Sequence, residues 1–289
     1  WAPKAIVWFQ HGTLMDFISP EEWLQQGGEA YTLGNKRATT YPITVPLIQL
    51  WCMLGVGAWD HSAVYLPWIL APISAGLALF GHLRLAGVSF LLAVIACYLL
   101  LSLPFLNIHA VLAGYADIWL ASAFGLAVCA LYESRQSRHW AYAVLWLMLA
   151  LLCSQLKNPG VVLALIVLVF GVRSWLGFKP KQEFAVLGVL GTFFALAMVL
   201  GSSIDIPYLG RIAVDAGSIE IGKFGHFELE YHQVASSFVE TFFVMTHWNL
   251  LWYLLPPYVF YCFYRGVVLR RPSTEFLPVL ASLAFVAFV

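Results

Sequence analysis

Eight apolar runs, near residues 62–80, 85–105, 112–131, 140–156, 160–176, 184–203, 241–264 and 276–289, fill most of this chain. A helix needs about 17–25 mainly apolar residues to cross a hydrocarbon core roughly 30 Å thick, so runs of this length predict membrane spans. Hydrophobic residues make up 61% of the chain and charged residues 10%, where a soluble domain holds roughly 45–50% and 25%. That excess of apolar surface excludes a soluble globular domain and predicts an integral protein of the plasma or inner membrane. Trp and Tyr gather near the ends of the runs, where interfacial belts place them. The expected fold is all-α, a polytopic transmembrane helical bundle of about eight spans. Residues 1–61 are expected to form a first outer loop with interfacial juxtamembrane helices, and residues 62–289 the bundle, with a second outer loop at 204–240. Starting at Trp1 rather than Met and stopping at Val289 within an apolar run, the chain reads as a fragment.

The distribution of charge sets the sidedness. Short loops at 81–84, 132–139, 172–183 and 265–275 carry Arg84, Arg135, Arg138, Arg173, Lys179, Lys181, Arg265, Arg270 and Arg271, against only Glu133, Glu183 and Glu275. The alternate segments (1–61, 106–117, 157–159 and 204–240) carry all the remaining acids, twelve of the fifteen. Basic short loops stay cytoplasmic, so the alternate segments face the outside: periplasm, lumen or cell exterior. Residues 43–58 contain Pro46 and Gln49 and are short for a span. They predict an apolar helix lying in the outer interface, with a short tilted crossing as the other reading. Cys52, Cys97, Cys129, Cys153 and Cys262 all fall in apolar stretches without metal-type spacing and read as small core residues.

Four constellations are candidates for chemistry. In Gly114-Tyr115-Ala116-Asp117-Ile118, Asp117 stands at the outer mouth of a run. A carboxylate at that depth either faces a cavity and marks a site or caps a helix N-terminus. In Ser154-Gln155-Leu156-Lys157-Asn158-Pro159-Gly160, Lys157 stands beside a helix start where a phosphate would be favoured; a snorkelling lysine at a turn is the structural alternative. In His226-Phe227-Glu228-Leu229-Glu230-Tyr231-His232, strand alternation would put two His and two Glu on one face. That face is either a divalent-cation site or, more simply, a solvated one. In the opening segment, Ser19-Pro20-Glu21-Glu22 predicts a capped helix start, with His11 and Asp16 nearby. The chain has no P-loop, GxGxxG, HExxH or nucleophile elbow, and no basic patch for nucleic acid. Charge inside the spans is too sparse for a proton relay.

The order of these motifs resembles that of the GT-C glycosyltransferases, multi-spanning enzymes that take sugar from a polyprenyl- or dolichyl-phosphate carrier. Trp1 to Phe9 looks like the start of their first outer loop, and Tyr41-Pro42 like its juxtamembrane stretch. Gly114 to Asp117 looks like the acidic motif of the second loop. Lys157-Asn158 is similar to their Lys-Asn-Glu-Gly, and Trp248-Asn249-Leu250-Leu251-Trp252 to the aromatic opening of a late helix. The resemblance implies catalysis by Asp117 and Asp16, and substrate binding by Lys157, Asn158, Tyr115, Tyr41 and Arg211. It implies an inverting attack of an acceptor hydroxyl on the anomeric carbon. Lys157 would hold the leaving phosphate, helped by Arg211 or a divalent cation (Mg or Mn), and membrane lipid would carry the donor. Two departures stand out: the family's first-loop acid would precede Trp1, and Pro159 replaces the usual Glu. These favour, as an alternative, a non-catalytic subunit with membrane-complex partners; an apolar groove open to lipid would also suit a transporter of lipid-linked saccharides, against which the small cytoplasmic loops and sparse polarity within the spans count.

Overall fold

The computed structural model describes residues 2–26, 30–34, 39, 41–112, 114–176, 192, 196, 199–206, 210–215, 217–222, 225–228, 235–245, 253 and 255–267. The fold is mostly helical, as expected, with a small antiparallel sheet that the all-α expectation omitted. Two compact units are formed, one from Trp1–Phe17, Pro42–Val172 and Ala235–Val289, the other from Ile18–Tyr41 and Arg173–Val234.

The first unit opens with α1 (Ala2–His11). It packs on α3 (Thr44–Val56), burying Ala5 with Met53 and Val64. A helix is thus present within the 43–58 stretch, and its Trp51 is 79% exposed. Next come α4 (His61–Leu85), α5 (Phe90–Leu101), α6 (Pro104–Val111), α7 (Asp117–Ser137), α8 (Trp140–Leu156) and α9 (Gly160–Leu176). The last two coincide with runs at 140–156 and 160–176. The run at 85–105 instead breaks at Ser102–Leu103, and α5 and α6 meet at a 55° bend. Pro104 supplies the reason: it lacks an N–H and so starts a helix better than it continues one. Asn107 Nδ2 then donates to the carbonyls of Leu101 and Leu103, both at 3.0 Å, and closes the corner.

By length and composition, one described helix (Ser62–Leu85) can cross a membrane, or two if the bent α5–α6 pair counts as one span. Much of the run at 184–203, part of that at 241–264, and all of 276–289 lie outside the described residues, as do His247 and the Trp248–Trp252 motif. Of the late elements, α10 (Ala235–Val239), a π turn (Glu240–Val244) and α11 (Leu255–Val267) are described.

The core lies where α7 and α8 pair. Small residues Ala123, Ala127 and Ala130 repeat at helical spacing along α7 and are buried, as are Ala150 and Cys153 of α8. Small side chains let helices approach closely, so packing contacts accumulate along the seam. Gly171 extends this logic to α9, since a Cβ there would run into the indole of Trp146. Far from the N-terminus of α7, His82 Nδ1 and Glu133 Oε1 stand 2.8 Å apart and tie α4 to α7. Sequence reasoning had counted Glu133 only as a loop acid.

Lys4 is buried in α1, its ammonium 5.7 Å from the centre of the Phe17 ring, and no carboxylate among the described residues pairs with it. Burial pushes this ammonium below the usual lysine range. The folded chain therefore binds the proton less tightly than the unfolded chain. At neutral pH folding bears the full cost; as pH rises through the lowered folded value towards the ordinary one, the folded state sheds the proton first and that cost fades. Lys4→Met is expected to raise the melting temperature at pH 7, with the gain shrinking towards about pH 10. A gain independent of pH would contradict the burial of charge.

The second unit holds α2 (Pro20–Gln26), whose start follows the sequence signal. Ser19 N–H donates to Glu22 Oε2 at 3.0 Å and Glu22 N–H to Ser19 Oγ at 3.3 Å, a reciprocal capping box. Short strands β1 (Phe17–Ile18) and β2 (Tyr31–Thr32) flank it in the chain. Strands β3 (Ser202–Ile206), β4 (Gly210–Val214), β5 (Ser218–Ile221) and β6 (Gly225–Glu228) form an antiparallel meander in sequence order. Register puts Asp205 opposite Arg211, and Ile212 between Ile204 and Ile221. The strand expected around 226–232 is met in part: His226 pairs with Glu220 and Glu228 with Ser218, while residues 229–232 lie outside the described residues.

Candidate functional site

Helices α7 and α8 run as a hairpin whose tight end turns at Arg138, a non-glycine residue in the left-handed region at φ 55°. The hairpin's open end therefore brings together residues 40 positions apart. Asp117 opens α7, and Lys157 closes α8 in an extended conformation. Lys157 Nζ donates to Asp117 Oδ1 at 2.7 Å, with the side chains 26% and 36% exposed respectively. The carboxylate lies in the first turn of its helix and the ammonium at the end of its own, so each charge also suits the local helix dipole. The capping alternative for Asp117 is not taken: the cap position belongs to Ala116, with no side-chain cap bond.

The loop before Asp117 is fixed from below. Trp68 Nε1 donates to the Tyr115 carbonyl at 2.7 Å, and the Trp68 ring meets Tyr65 and Trp119 edge-on at 6.1 and 6.0 Å. Ala116, Ile118 and Leu120 are buried beneath it. The loop after Lys157 is a tight turn in which Gly160 N–H donates to the Lys157 carbonyl at 2.8 Å. Gly160 is required there. A Cβ would fall onto the Cys153 carbonyl and come within 2.9 Å of Leu120 Cδ1.

Chemically the pair presents a half-buried carboxylate of which, among the described residues, Oδ1 is held and Oδ2 is not, beside an ammonium that there uses one of its three protons. It can accept a hydroxyl proton at one atom and hold an anion at its neighbour. Tyr115 flanks it with an exposed side chain, and Asn158 is half-buried in the following turn. Asp16 lies exposed between α1 and β1, and no described contact joins it to the pair. Tyr41 and Arg211 belong to the second unit. Among the described residues no group of three or more His, Cys, Asp or Glu converges to hold a metal. Neither a family model, nor a curated protein, nor a solved structure matches the chain.

Gln49 of α3 was read from sequence only as a flaw in an apolar run. It is 0% exposed, and among the described residues neither its Nε2 nor its Oε1 has a hydrogen-bond partner. A lone Gln between apolar helix residues is the only sequence signal that could have marked it.

Proposed function

We propose that this chain is an integral membrane glycosyltransferase of the GT-C type. It moves sugar from a polyprenyl-phosphate carrier to an acceptor hydroxyl at the non-cytoplasmic face of a bilayer that it crosses about eight times. The observation that carries the reading is the 2.7 Å ion pair of Asp117 and Lys157, two residues from separate motifs that sidedness puts on the outer face. Apolar side chains on the outward helix faces support the bilayer: Leu77, Leu91 and Met148 are exposed on three different helices, a pattern that marks a lipid or protein partner.

In the reaction the acceptor hydroxyl gives its proton to Asp117 Oδ2 while its oxygen attacks the anomeric carbon. The bond from that carbon to the carrier phosphate breaks, its electron pair stays on the phosphate oxygen, and Lys157 holds the resulting charge. One displacement inverts the anomeric centre. The ion pair keeps Lys157 over the site before substrate arrives, and no step requires a metal. The assay is transfer from carrier-linked sugar by the full-length protein in lipid nanodiscs. Inverted product supports the reading, and retention of configuration overturns the single displacement.

A second reading, a non-catalytic subunit of a membrane complex, is favoured by Pro159 and by the exposed, separate position of Asp16. It predicts stoichiometric partners in mild detergent and no transfer from any carrier.

A further inference from the structure

An orphaned amide in a packed interior bears the full desolvation penalty of each unsatisfied group, so its retention calls for a reason. Gln49 carries two such groups. Its neighbours Val45 and Met53 on the same buried face of α3 are apolar and fully enclosed, so a methionine of the same length would satisfy packing without the polar cost. Stability alone does not account for an amide there.

Its surroundings point to what does. Nε2 is 3.6 Å from the position a Cβ would take on Gly114, and the Tyr65 ring edge is equally near that position. Gly114 is itself only half-buried and stands at φ 105°, where a side chain is disfavoured. One residue without a side chain thus separates the amide from the loop that ends in Asp117. Trp119, two positions beyond Asp117, also has a buried Nε1 with no partner among the described residues. Aromatic edges and an amide that can donate and accept at once match a polyol rather than a phosphate, which would call for cations.

We propose that Gln49 binds a hydroxyl of the transferred sugar, reached from the Gly114 side, where no side chain stands between the amide and the Asp117 loop. The amide donates to the hydroxyl oxygen and accepts its proton. This rests on the transferase reading and adds a specificity residue to it, outside the loops that carry Asp117 and Lys157.

The test compares wild type, Gln49→Met and Gln49→Glu in nanodiscs, using a polyprenyl-phosphate-linked hexose and its monodeoxy analogues. Wild type is expected to lose on the order of 10-fold or more in kcat/KM with one analogue. Gln49→Met is expected to melt higher than wild type, to be slower with the parent sugar by a similar factor, and to treat parent and analogue alike. Gln49→Glu keeps the acceptor and should retain part of the discrimination. A Gln49→Met protein that discriminates as wild type does overturns the assignment while leaving the transferase reading intact. Failure of both variants to fold makes Gln49 structural and overturns it too. Absence of transfer by wild type sinks the transferase reading, and this inference with it.

Discussion

Asp117→Asn is expected to abolish sugar transfer while leaving the protein folded. Asn keeps the shape and can still accept from Lys157, so the geometry of the hairpin's open end persists. Both side chains are a quarter or more exposed, and ion pairs in that situation contribute about 0–1 kcal/mol. The melting temperature should therefore move little. Transfer should fall by roughly 10²–10⁴-fold, the usual contribution of a positioned proton acceptor. The pairing of a large kinetic loss with a small thermal one is what separates a catalytic carboxylate from a structural one. Unchanged transfer would remove Asp117 from the chemistry, and a large drop in melting temperature would make the pair a structural tie.

Gly160→Ala is expected to do the reverse and destabilise the fold. A methyl group at Gly160 collides with backbone, the Cys153 carbonyl, and with Leu120 Cδ1 at 2.9 Å. Backbone cannot turn aside as a side chain can, so α8 and α9 must separate at the turn that aims Lys157. Overpacking of this kind costs about 3 kcal/mol or more, or roughly 5–10 °C in melting temperature. Transfer should fall with it because Lys157 loses its position over Asp117. Normal melting of Gly160→Ala would mean that the helices cross further apart than described.

The parts of this fold legible in the sequence are those set by local chemistry. Ser19-Pro20-Glu21-Glu22 carries its own cap, and α2 starts where that signal places it. Helices α8 and α9 have the limits of their apolar runs because His139 and the Asn158-Pro159-Gly160 turn punctuate both sides. The bend at Pro104 was missed because hydropathy averages over a proline that geometry does not. The meander at 202–228 was missed because a polar outer segment shows apolar alternation only weakly, and β3 begins within a stretch read as part of a span. At the site, Asp117 and Lys157 could each be singled out by charge at an apolar boundary. Their meeting depended on hairpin geometry. Gln49 was illegible: an orphaned amide is defined by what does not surround it, which only three-dimensional packing reveals. Asp16, named only through the resemblance, is not brought to the pair by any described contact.

Impermeant thiol labelling in intact cells tests the central claim most directly, using a version of the protein whose five cysteines are replaced. Tyr115, 56% exposed beside Asp117, and Asn158, next to Lys157, are each changed to Cys, with Arg138 at the tight end of the hairpin as the third position. The account predicts labelling of Tyr115→Cys and Asn158→Cys from outside, and of Arg138→Cys only after the membrane is opened. Labelling of Tyr115→Cys and Asn158→Cys from opposite sides, or of all three from one side, would contradict it.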